Sequence, residues 1–241
     1  MTELLEELEV HDTRLGKLVL QRVPATPDGR PEIFEVILDD QFLMSSFINH
    51  SEIALAHMGL TALGEVEDMD VVVGGLGLGY TADAALDFPN LRSLLVVEYL
   101  PQVISWHHRG VVPLGEKLTA DKRCRFVQGD FFAMAGPAGP SFDPRTPDRR
   151  FHAILVDIDH KPTDLLHNSH EDFYKPAGLR NVARYLHPGG IFGVWATGPR
   201  DPAFLATLGE VFTECQAQKV EFYAANDPTD ALDTVYLARK G

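Results

Sequence analysis

The sequence predicts an α/β fold: a mostly parallel seven-stranded sheet with an antiparallel last strand, preceded by a small β-hairpin module. Three observations carry this. Apolar segments of strand length alternate with helical ones from Asp70 onward, which is the pattern of right-handed βαβ units. A glycine-rich run, Gly74 to Gly79, separates the first of these strands from a helix. An acid, Glu98, closes the second strand about twenty residues further on. The 241 residues suffice for one sizeable core and a small appendage. The boundary is expected between an amino-terminal unit, 1–64, and a Rossmann-like domain, 65–241.

After an acidic lead, residues 17–22 and 32–38 read as two strands separated by a Pro-rich turn containing Asp28-Gly29. Apolar residues at helical spacing make 51–63 a linking helix, with Ser51 as its cap. Strands follow at 71–73, 94–97, 125–128, 151–156 and 191–195. Helices are expected at 81–86, 101–107 and 171–186, the last ended by Pro188-Gly189-Gly190. A helix over 202–212 precedes a closing antiparallel pair, 219–223 and 234–238, joined by a turn at 225–230. The stretch 135–147 is a Pro- and Gly-rich loop, either a lid or slack.

Composition narrows the function. The formal charge of −14 sets a field that repels nucleic acid and anionic membranes and favours a cationic small molecule. Cys124 and Cys215 stand alone, without disulfide or zinc spacing. No signal-like start and no membrane-length apolar run is seen, so a cytoplasmic protein is expected.

In Gly74-Gly75-Leu76-Gly77-Leu78-Gly79 the glycines allow a sharp turn and a close approach of backbone to a ligand. A nucleoside cofactor is the natural occupant. The turn also satisfies G-x-G-x-x-A from Gly77 to Ala82, so by itself it fits a dinucleotide as well as S-adenosylmethionine. Glu98 is placed to accept hydrogen bonds from both ribose hydroxyls. Asp130, after the third strand, can accept from the exocyclic amine of adenine while Phe131 and Phe132 cover the ring, and it can also cap the next helix. Asp157 ends the fourth strand, at the sheet edge where α/β proteins bind ligands, and is the candidate general base. Asp157, Asp159, His160, His167 and His170 together invite a metal reading, but no H-E-x-x-H spacing supports one, and no metal is expected.

The segments GGLGLGYT, VVEYLPQVISWHH, VQGDFFAM, FHAILVDIDHKP and HEDFYKPAGLRNVARYLHPGGIFGVWAT, with the earlier FEVILDDQFLMSSFINHSEIALAHMGL, resemble the spermidine synthase-like branch of the S-adenosylmethionine methyltransferase fold. The resemblance covers nearly the whole chain. It implies S-adenosylmethionine or its decarboxylated form at Gly74, Gly75, Gly77 and Gly79, with Glu98 on the ribose and Asp130 and Phe131 at the adenine. It implies Asp157 as the base, with Gln41, His50, Asp159 and His160 at the acceptor, and a possible homodimer. Three departures fall in the amine-binding half: Gly77 replaces the aspartate of a GGGDGG-type turn, His160 replaces the second aspartate of D-S-S-D-P, and Asn49-His50-Ser51-Glu52 replaces a Tyr-His/Gln-Glu helix start. The adenosyl-binding half, Gly75, Glu98 and Asp130, is intact. Methyl transfer to a small acceptor is therefore expected slightly ahead of aminopropyl transfer. A nicotinamide dehydrogenase, disfavoured by the closing hairpin and the lack of a substrate domain, and a non-catalytic nucleoside-binding scaffold stand as alternatives.

Overall fold

The structure, a computed structural model, describes residues 5–27, 29–221 and 232–241. The amino-terminal unit is a four-stranded antiparallel sheet in sequential order: β1 (Glu6–Thr13), β2 (Gly16–Val23), β3 (Ile33–Leu38) and β4 (Gln41–Ser45). The expected hairpin corresponds to β2 and β3, and the outer two strands are additions. β1 has too many acids to read as a strand, yet it pairs along β2, and Glu9 accepts hydrogen bonds from Trp106 Nε1 and Arg109. β4 returns from β3 through Asp39 and Asp40, whose φ values of 50° and 64° form a tight hairpin turn without glycine. Asp28 lies outside the described residues.

The linking helix is α1 (His50–Thr61), and its buried face presses on the main sheet where Gly59 and Gly193 admit the side chain of Leu155. That sheet contains β5 (Met69–Gly74), β6 (Leu91–Glu98), β7 (Cys124–Gln128), β8 (Phe151–Val156), β9 (Leu186–Thr197), β10 (Thr213–Glu221) and β11 (Leu232–Arg239). Its order is β10-β11-β9-β8-β5-β6-β7. β5 to β9 run parallel, and β11 is inserted antiparallel to both β9 and β10. This is the expected seven-stranded, mostly parallel Rossmann-like sheet with an antiparallel last strand. The strand order reverses between β5 and β8, so the crevice beyond their carboxyl ends is the place for a ligand.

Five more helices flank β5 to β7 and β9: α2 (Tyr80–Leu86), α3 (Pro101–His108), α4 (Gly115–Ala120), α5 (Phe131–Ala135) and α6 (Pro176–Ala183). α7 (Pro202–Gly209) precedes β10. The long helix expected over 171–186 is instead a 3₁₀ segment (Asn168–Tyr174) followed by α6, because Pro176 forces Lys175 into an extended conformation at ψ 160°. β9 begins earlier than expected, at Leu186, and the Pro188–Gly190 stretch sits in an irregularity of its pairing with β8. The turn expected at 225–230 lies outside the described residues.

The loop at 135–147 is neither lid nor slack where it matters. Phe142 is fully buried, stacked on Phe131 at 4.8 Å, and Asp143 is buried between Arg125 and Arg149. On the other face, one apolar cluster joins Leu18, Leu20 and Val36 of the small sheet to Leu55, Val71 and Leu155, so the amino-terminal sheet closes over the crevice.

Candidate active site

A cavity of about 410 Å³ lies over the carboxyl ends of β5, β6, β7 and β8, roofed by Leu18, Val36, Leu38 and Leu43 of the small sheet. Its size is ordinary for a small-molecule site. Gly75, Gly77, Glu98, Asp130, Phe131, Asp157 and His160 all line it. The sheet thus brings together residues drawn from 86 positions of sequence.

The glycine turn is built by contact as much as by conformation. Gly75 has φ +94°, and a Cβ there would run into the backbone carbonyl oxygen of Asp157. Gly77 has φ +47°, and a Cβ there would meet the Met44 thioether, whose Sδ accepts a hydrogen bond from the Leu78 N–H at 3.0 Å. Met44 of β4 therefore stands where an acid at position 77 would project. Gly74 and Gly79 do not reach the cavity wall: Gly74 makes room for the Phe131 ring, and Gly79 for Leu118. His107 is fully buried behind the turn, with Nε2 2.9 Å from the Gly77 carbonyl oxygen. Burial pulls its pKa down to about 4, so the neutral ring donates Nε2–H to that oxygen and fixes the turn.

Glu98 is buried at the end of β6. Its Oε2 accepts from the Leu76 N–H at 3.0 Å and its Oε1 from the Leu100 N–H at 2.7 Å. Burial pushes its pKa up, and the backbone donors act in the opposite direction. Asp130 caps α5 through the Ala133 N–H at 3.0 Å and also lines the cavity.

Asp157 ends β8 and accepts a 2.5 Å hydrogen bond from Thr81 Oγ1 of α2. Burial, opposed by that bond and reinforced by Asp233, raises its pKa to about 6. A second acid shares this wall. Glu52, buried in the first turn of α1, has its pKa raised to about 8, first by burial and then by the charge of Asp157. Sequence reasoning named Glu52 only as part of the departing helix start and gave it no role, although it falls on the inward face of α1 with Leu55, Ala56 and Gly59, where a charge is out of place.

Three expected acceptor residues are elsewhere. Gln41, at the start of β4, and His50, at the start of α1, are exposed and do not line the cavity. The Asp159 side chain is fully enclosed, bonded to Leu166, His170 and Tyr174. His160 alone of that group borders the cavity, joined by Trp195, Met44 and His170, which sequence reasoning had not placed there. Among the described residues no group of three or more metal-ligating side chains is assembled.

No protein-family model matches the sequence. Among solved structures, the chain is similar to the spermidine synthase from Thermotoga maritima, with a TM-score of 0.73 and 16% identity over 98% of this chain and 73% of that one. It is similar to a spermidine synthase in complex with the transition state analogue AdoDATO, with a TM-score of 0.72 and 15% identity over 98% of this chain and 74% of the other. The chain has the spermidine synthase-like Rossmann fold.

Proposed function

We propose that the chain is an S-adenosylmethionine-dependent transferase that moves a methyl group to a small, cationic acceptor. The observation that carries this is Asp157: a carboxylate of raised pKa, bonded to Thr81, facing the same cavity as Glu98 and Asp130. The residues present fit an adenosyl cofactor. Gly75 and Gly77 form a cradle that a Cβ would fill, and two carboxylates stand at the ends of β6 and β7. In this reading Glu98 holds the ribose, Asp130 the adenine amine and Gly75 to Gly77 the chain beyond the ribose.

Bound there, the cofactor supplies a carbon activated by its bond to a sulfonium. The protein has to orient an acceptor and take its proton. Asp157 receives that proton at its carboxylate, and a base with pKa of about 6 is mostly ionised at neutral pH. Glu52 and Asp157 together give the acceptor end an acidic wall, opposite the apolar roof from the small sheet. The charge of −14 draws a cation towards it.

Glu52 also favours a second reading, aminopropyl transfer from decarboxylated S-adenosylmethionine, because it provides an acid for an ammonium group that Gly77 does not. Calorimetric titration with S-adenosylmethionine, its decarboxylated form and 5′-methylthioadenosine separates the cases. Preference for the intact cofactor supports methyl transfer, and preference for the decarboxylated form supports aminopropyl transfer. Binding of none overturns both.

A further inference from the structure

Asp159 organises a group of side chains that the transfer chemistry leaves unused. Its carboxylate, fully enclosed, accepts from the Leu166 N–H at 2.8 Å and from the Tyr174 hydroxyl at 3.0 Å, and lies 2.8 Å from His170 Nδ1. A carboxylate in that position takes the Nδ1 proton as a third donor, and in that tautomer Nε2 is an acceptor. Nε2 makes no hydrogen bond to any described residue. The imidazole plane is fixed as well: it stacks on Phe132 with centroids 3.8 Å apart and an interplanar angle of 22°. His170 and Phe132 both line the cavity, and Asp130 is two residues before Phe132.

We propose that His170 is a specificity-determining contact for the nucleobase of the cofactor, its Nε2 accepting one hydrogen of an exocyclic amine whose other hydrogen Asp130 accepts. The inference rests on the adenosyl-cofactor reading. Two acceptors on the lining of one cavity call for a donor with two hydrogens, and a 6-aminopurine offers one. A 6-oxopurine turns a carbonyl oxygen towards the same two acceptors and leaves all three unpaired. Asp159 is the positioning residue, since without it the ring could present either tautomer.

The test compares binding of 5′-methylthioadenosine and 5′-methylthioinosine to the wild-type protein, H170F and H170N by calorimetry. Phenylalanine keeps the stack on Phe132 and loses both nitrogens. Asparagine keeps an N–H for Asp159, and with it the fold, but is too short to place an acceptor at Nε2. Wild type should prefer the adenosine compound by about a hundredfold, and both variants should lose about tenfold in affinity for it and about tenfold in preference. A purely structural role of His170 would lower affinity for both nucleosides and leave their ratio unchanged. A variant ratio within about twofold of wild type, or a wild-type ratio near one, overturns the inference and leaves the cofactor reading standing. Failure of wild type to bind either nucleoside overturns the cofactor reading and this inference with it.

Discussion

Thr81 Oγ1 lies 2.5 Å from Asp157 Oδ2, and this bond ties the helix that follows the glycine turn to the candidate base. Burial drives the Asp157 pKa up and the threonine hydroxyl holds it down, leaving it near 6. Thr81→Val preserves the shape of a buried side chain and removes the donor. A hydrogen bond to a charged group contributes about 1.5–3 kcal/mol, so the Asp157 midpoint should rise by about one pH unit or more. Carbon-13 NMR titration of labelled aspartate reads it directly, and the acid limb of the turnover profile should move upward in parallel. An unchanged midpoint would show that the hydroxyl does not stabilise the ionised form.

Glu52 gives the fold a pH dependence of definite sign. Its pKa is raised to about 8 from an ordinary value of 4.5, so between those limits the folded chain binds more protons than the unfolded one. Stability from this group is full below about pH 4.5 and is lost as pH rises towards 8. Asp157 adds a smaller loss of the same sign between 3.8 and about 6. Wild-type Tm should fall between pH 6 and pH 8.5, and Glu52→Gln should be flatter and more stable by about 5 °C or more at the upper end. Thermal melts at the two pH values check this, and parallel curves for the two proteins would contradict it.

Gly75 tests the geometry of the turn. Its φ of +94° costs any other residue about 1–3 kcal/mol, and a methyl group there is driven into the Asp157 carbonyl. Gly75→Ala should lower Tm by about 4 °C or more and weaken 5′-methylthioadenosine binding more than tenfold. A variant with unchanged melting and affinity would mean that the turn is pliant and the glycine serves no contact.

The parts of this architecture that were legible in the sequence are those whose cause is local. Val71–Val73, Gly74 to Gly79 and Glu98 follow from buried parallel strands and a turn that admits no side chain at Gly75 and Gly77, and both requirements leave their mark on neighbouring residues. β1 was illegible because its glutamates make it a poor strand alone, and it exists through pairing with β2 and through the contact of Glu9 with Trp106. The break at Pro176 was visible in principle, but the apolar pattern of 171–186 masked it. Within the site, Glu52 and His170 come from segments 118 positions apart and acquire meaning only when α1 and the 3₁₀ segment close on the same cavity. Asp159 shows the converse. Its spacing from Asp157 suggested a second ligand-facing acid, yet the chain turns it inward to hold His170 and Tyr174.

Asp157→Asn separates base chemistry from binding. The amide oxygen can keep the bond from Thr81, so the turn and the cofactor contacts should survive, with nucleoside affinity within about threefold of wild type. Turnover should fall by about 10²–10⁴, the ordinary worth of a positioned base. The substitution also removes the charge that acts on Glu52, so the Glu52 midpoint should drop below 8 and the loss of stability towards alkaline pH should be smaller and complete at lower pH. Calorimetry, steady-state kinetics with the acceptor and pH-dependent melting measure the three quantities on one protein. Full turnover with intact cofactor affinity would remove Asp157 as the base and leave Glu52 as the acid on that wall able to take the proton.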